Sequence, residues 1–201
     1  MSNELELEEF GKALVVRFVR PEIRNPLSVT VLDRLHDIVD DLSADARFER
    51  LIFTGSGNVF ASGANLREIA LVTNSMAPEF AQRGQRLMNK IVALPQTTVA
   101  AINGYCFGGA LDLALACDRR IASPNATFAH PGTGLGIITG WGGTQRLPRL
   151  IGHAKALELF FTAEPIGSAE ALRIGLVDRI AKDVTTESWA NINVDGSIVT
   201  V

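Results

Sequence analysis

Residues 103–118, NGYCFGGALDLALACD, place two adjacent glycines, Gly108 and Gly109, where an extended run gives way to an apolar helix. A carboxylate, Asp112, follows three residues inside that helix. Glycine lowers helix stability and a carboxylate among Leu111, Leu113 and Ala114 costs desolvation, so local folding preference selects against both. Backbone N–H groups at a helix start are orphan donors backed by the helix dipole, and they attract negative charge. Glycine lets a ligand approach them closely, because no Cβ intervenes. Desolvation raises a carboxylate's pKa and makes it a better base. Each feature also has a plainer explanation: a tight strand-to-helix turn, and a helix aspartate that points to solvent or bonds a nearby backbone N–H. A second glycine-and-alanine corner, NVFASGANLREI at residues 58–69, again follows a strand and precedes a helical stretch.

Other chemistry-bearing residues are sparse. His36 lies on the charged face of an amphipathic segment and His153 starts a helix, so both read as structural or solvent-facing. Trp141, between glycines, either walls a pocket or packs a loop. Arg146 and Arg149 are expected in surface or intersubunit ion pairs. Cys106 and Cys117 stand eleven apart on one predicted helix, too far to bridge or to share a metal, and read as small buried apolar residues. The sequence contains no metal-ligand cluster, no Walker-type loop and no serine nucleophile elbow.

The elements that must hold these residues alternate. ALVVRFV (13–19) and RLIFTG (50–55) read as strands, and TTVAAINGYC (97–106) as a third. Val31, Leu32, Leu35, Ile38, Val39 and Leu42 follow helical spacing, as do Phe80, Gly84, Leu87, Met88 and Ile91. RRIAS and ATFAHPG follow the glycine helix, and then come two short helical segments around 143–161 and 168–175. Strands alternating with helices predict an α/β fold with mainly parallel pairing. The 201 residues suffice for one domain. With 19 basic and 22 acidic side chains the net charge is near −3, and no basic run is dense enough to follow a phosphate backbone, so nucleic acid is not an expected partner. The acidic start resembles neither a secretory signal nor a presequence, and no run reaches membrane-span length, so a cytoplasmic, membrane-free protein is expected. ESWANINVDGSIVTV, at the end, carries an Asp-Gly hairpin signal.

The order RPEIRNPLS, FASGANLREI, AAINGYCFGGALDLALACDRRIAS, GLGIITGWGGTQRLPRLIG and SAEALRIGLVDRI resembles the crotonase, or enoyl-CoA hydratase/isomerase, superfamily, from about residue 5 to about residue 182. The resemblance implies a crotonase-like spiral of ββα turns over 1–182, with a divergent tail at 183–201 and the family's C-terminal helices shortened or missing. It implies an acyl-CoA thioester as substrate, no cofactor beyond the coenzyme A moiety, no metal, and a homo-trimer or hexamer. Ala64 and Gly109 match the family's two oxyanion donors. Ala64, Asn65, Leu66 and Arg67 match its coenzyme A loop, with Asn65 where relatives usually carry Asp, and Arg24 and Leu27 match its other coenzyme A segment. Asp112 matches one of two catalytic glutamates of the hydratases. The second is replaced by Gly132, and His130, two residues away, is the base candidate beside that gap. Thr139 and Gly140 stand where other branches use Asp.

Hydration divides proton transfer between two carboxylates, and one is present here. The leading expectation is an enoyl-CoA hydratase/isomerase-type enzyme. An isomerase, thioester hydrolase or decarboxylase of the same family, or a catalytically silent acyl-CoA-binding protein, stands as the alternative.

Overall fold

The computed structural model describes residues 4–182. The chain opens with a hairpin, β1 (Leu5–Phe10) and β2 (Ala13–Phe18), turning at Gly11, whose φ of 54° favours glycine. The short strand β3 (Pro26–Leu27) leads into helix α1 (Val29–Ser43), started by the Ser28 hydroxyl, which accepts the Val31 N–H at 3.1 Å. The six apolar residues of α1 singled out by their spacing are its six buried ones.

A repeating pattern follows. β4 (Arg50–Gly55) joins a six-stranded sheet, β5 (Val59–Ala61) a four-stranded one, and β6 (Gly63–Ala64) pairs with β3 before helices α2 (Leu66–Ile69) and α3 (Ala77–Val92). The next turn repeats it with β7 (Thr97–Ile102), β8 (Tyr105–Phe107) and α4 (Gly109–Ala116). A third uses β9 (Arg119–Ala122), β10 (Thr127–Ala129), α5 (Gly143–Ile151) and α6 (His153–Thr162). The chain then adds β11 (Ile166–Gly167), α7 (Ser168–Arg173) and β12 (Arg179–Ile180). The large sheet runs β1-β2-β4-β7-β9-β12 and the small one β11-β10-β8-β5. Only β1 with β2 and β10 with β11 pair antiparallel among these ladders; the rest are parallel, as the alternation predicts.

The structure departs from the sequence reading in four places. Residues 97–106 are not one strand: the chain bends at Asn103 and Gly104 and crosses to the other sheet, and a Cβ on Gly104 would lie 1.8 Å from the Asn58 carbonyl oxygen. Cys106 therefore sits on β8, and Cys117 caps the C-terminus of α4, so they do not share a helix, although both are buried. The 143–161 segment is two helices, divided at Gly152, whose φ of 84° a non-glycine residue rarely adopts. β1 was not anticipated, because only Leu5 of its six residues is buried. The tail at 183–201, with its Asp-Gly pair, lies outside the described residues.

The main core lies between the large sheet and the helices, with Phe53, Phe60, Leu35 and Leu113 fully enclosed. Val15, Ile52, Val99, Ala101 and Ile121 form a second cluster on the other face of the large sheet. Two apolar faces are what a mainly parallel sheet requires.

Candidate active site

Both glycine corners end at one place. β6 pairs in parallel with β3, so Ala64 lies opposite Leu27. Gly63, at φ 84°, lets that ladder touch the start of α4: a Cβ there would sit 2.5 Å from the Gly109 nitrogen. The Gly108 N–H donates to the Ala129 carbonyl at 2.9 Å, so Gly109, as the first residue of α4, supplies the helix-start donor. Buried Asn25 fixes the neighbouring segment, its Oδ1 accepting the Arg20 N–H and its Nδ2 donating to the Val59 and Phe60 carbonyls. That anchor was not singled out in the sequence, where an asparagine before Pro26 is the sole local signal.

Ala64 and Gly109 both line a cavity of about 440 Å³. Its walls are mostly apolar, with Leu66, Ile69, Phe80, Ile137, Ile138 and Trp141 among them. His130 and Gly132 also reach it.

Asp112, one turn into α4, has no exposed surface. Its Oδ2 accepts the Thr139 hydroxyl, and the N–H groups of Trp141 and Gly143 favour its charged form. The carboxylate therefore sits at the N-terminus of α5, where the dipole favours an anion. A Cβ on Gly143 would lie 2.1 Å from Oδ1, so this glycine makes the room for the carboxylate. Burial nonetheless outweighs these donors and raises the Asp112 pKa to about 6.

His130 Nε2 lies 3.6 Å from Asp112 Oδ1, and among the described residues neither His130 ring nitrogen nor Oδ1 has a hydrogen-bond partner. Burial against Phe160, 5.1 Å between ring centroids, lowers the His130 pKa to about 4. Burial thus favours the neutral imidazole of His130 and makes the Asp112 carboxyl hold its proton to a higher pH than an exposed one. Both are buried groups of the kind that titrates near a working site.

Gly132 closes the short 3₁₀ turn Pro131–Leu135, and its carbonyl accepts the Ile137 N–H at 2.9 Å. A Cβ at 132 would lie 2.8 Å from the Ile137 carbonyl oxygen, so this turn cannot take the second glutamate without opening.

The remaining candidates divide by location. Leu27 is buried behind Ala64, whereas Leu66 is exposed on the cavity wall. Asn65 caps α2, accepting the Arg67 N–H at 3.0 Å, and the Arg67 side chain is exposed. Arg24 lies outside the cavity lining, its guanidinium 5.2 Å from the centroid of the Tyr105 ring. Among the described residues Arg146 and Arg149 make neutral contacts and no ion pair within the chain, which leaves the intersubunit pairs of the expectation untested. Arg146 donates to the Trp141 carbonyl and to Asn89 Oδ1, Arg149 to the Gln145 carbonyl. Arg146 also favours the charged form of Asp112. His36 contacts the Arg83 carbonyl, as a structural histidine would. Among the described residues no group of three His, Cys, Asp or Glu is placed to hold a metal, and no helix is long and apolar enough to cross a membrane.

The model of the family described as enoyl-CoA hydratase/isomerase matches residues 9–192. The chain belongs to this family. A crotonyl-CoA hydratase of Syntrophomonas wolfei is 41% identical over 177 residues, 88% of this chain and 68% of that protein. A short-chain-enoyl-CoA hydratase of Clostridium acetobutylicum is 38% identical over 181 residues, 90% of this chain and 69% of that protein. The crystal structure of an enoyl-CoA hydratase from Bacillus anthracis superposes with a TM-score of 0.85 at 35% identity, covering 89% of this chain and 70% of that one. The fold is thus the crotonase spiral, and the protein is an acyl-CoA enzyme of the hydratase/isomerase kind.

Proposed function

We propose that the protein binds an acyl-CoA thioester with its carbonyl oxygen between the Ala64 and Gly109 N–H groups and converts it through an enolate, with Asp112 as the acid/base. The observation that carries this reading is the meeting of two backbone corners at one end of an apolar cavity. Fixed donors aimed at an oxygen that gains charge act on the transition state more than on the ground state. The α-carbon proton passes to the Asp112 carboxylate, the C–H electron pair forms the carbon–carbon double bond of the enolate, and the carbonyl π pair moves onto the thioester oxygen. His130 lies beside that carboxylate as its proton-sharing partner. Because Asp112 has no exposed surface, residues 136–140, with Thr139 over the carboxylate, must shift to open a path to the α-carbon while Trp141 stays in place. Gly136, at φ 73°, supplies a hinge at the start of that stretch. Asn65, Leu66 and Arg67 lie along the coenzyme A moiety, with Arg24 beside them and buried Leu27 supporting Ala64 from behind, and no other cofactor takes part.

With one carboxylate and a glycine at 132, isomerisation fits the site more readily than hydration. Exposed Leu150, Leu157 and Phe161 on α5 and α6 support a homo-trimeric or hexameric assembly, which light scattering would size, in the cytoplasm. A second reading, an acyl-CoA-binding protein without chemistry, draws on the enclosure of Asp112, which also serves to cap α5.

Mass spectrometry of acyl-CoAs incubated in deuterated water tests the proposal. Deuterium is expected at the α-carbon with the wild type, and about 100-fold less with Asp112→Asn while the esters still bind. Esters that bind without exchange or product would overturn it in favour of the binding protein.

A further inference from the structure

We propose that Trp141 sets the acyl-chain length and that the protein takes short acyl thioesters. This rests on the acyl-CoA reading of the cavity.

Trp141 is 3% exposed, yet it lines the cavity. Its indole lies in a slot that two glycines leave open. A Cβ on Gly109 would lie 2.3 Å from Cζ3, and a Cβ on Gly84 2.3 Å from Cδ1. The ring therefore spans from the oxyanion corner on α4 to the middle of α3 and closes that side of the cavity. Phe80, one turn earlier on α3, backs it with ring centroids 6.2 Å apart. The carbonyl of residue 141 accepts from the Arg146 guanidinium at 3.2 Å. A wall fixed in this way does not swing aside for a longer substrate. An acyl group whose carbonyl is anchored at Gly109 meets the indole within its first few carbons. In a close-packed pocket each methylene without room is rejected by about 10-fold or more.

The test is calorimetric titration of the full chain with butyryl-CoA and octanoyl-CoA, for the wild type, Trp141→Ala and Trp141→Phe. In an open apolar pocket the longer ester would gain about fourfold in affinity per added methylene. The wild type is expected to bind octanoyl-CoA no tighter than butyryl-CoA. Trp141→Ala should raise the octanoyl-to-butyryl affinity ratio by about 10-fold or more, and Trp141→Phe by less. Trp141→Phe keeps an aromatic ring in the slot and carries the test if the alanine variant does not fold. An unchanged ratio with both esters bound overturns the role of Trp141 alone. No binding of either ester to the wild type overturns the acyl-CoA reading, and this inference with it.

Discussion

The two corners that meet at the cavity are built in opposite ways. The α4 corner is interior: seven of the eight residues of α4 are buried, and its first glycine is pressed against the Trp141 ring. The α2 corner is peripheral: its four-residue helix buries nothing and depends on polar ties. Asn65 caps it from within, and the Glu68 carboxylate accepts the Val29 N–H at 2.9 Å. A donor set in packed interior keeps its position against thermal motion. A donor followed by an exposed turn can instead adjust to a large ligand running along the surface.

Gly63→Ala attacks the junction of the two corners and should have the largest effect. The new methyl would meet the Gly109 nitrogen at 2.5 Å from a backbone at φ 84°. Strain and overpacking together should cost about 3 kcal/mol in a denaturant titration, and turnover should fall about 100-fold as the donors separate.

Asp112→Asn sharpens the interior side through its pH dependence. Burial raises the folded-state pKa of Asp112 from 3.8 to about 6, so the folded chain holds that proton more tightly than the unfolded chain. The resulting stability is complete below about pH 4 and is lost as the pH rises through about 6. The buried charge then costs about 3 kcal/mol near neutral pH. His130 runs the other way, its pKa lowered from 6.5 to about 4, so its contribution is present above about 6.5 and lost as the pH falls through about 4. The wild-type Tm should therefore be nearly flat between these limits. Asp112→Asn should melt higher than the wild type near pH 7 and lose Tm steadily on acidification, as calorimetry would record.

Asn65→Ala tests the peripheral corner and should have the smallest effect. Loss of the cap costs about 1 kcal/mol, confined to α2. Faster amide exchange at 66–70 and acyl-CoA binding a few-fold weaker are expected, with the global Tm unchanged. A fall in Tm as large as that of Gly63→Ala would show that the two corners are one structural unit.

The same contrast separates what the sequence revealed from what it concealed. The burial of Asp112 was legible in part: Leu111, Leu113 and Ala114 beside it implied desolvation while a solvent-facing aspartate stayed open, and the structure decides for burial because α4 is apolar all round. The groups that meet the carboxylate were not legible, since Thr139 lies 27 residues further along the chain. No periodicity encodes a contact of that range. The spacing in α3 marked Gly84 as inward-facing, but only the packed indole explains why it is glycine. The two-residue strands β3 and β6, which place Leu27 opposite Ala64, are too short for any alternation to announce. Gly132 stood out as a missing carboxylate, and the tight turn that excludes a side chain there emerged from the backbone.

The acidic hairpin at the start of the chain also bears on how copies of the protein meet. Among the described residues β1 is an outer strand of the six-stranded sheet, so one row of its backbone N–H and C=O groups has no neighbouring strand there. Such a row is a template for edge-to-edge pairing. Glu6, Glu8 and Glu9 line this strand, and Arg17 neutralises Glu8 from β2. Two such edges approaching each other bring carboxylates together, and that repulsion weakens as salt rises.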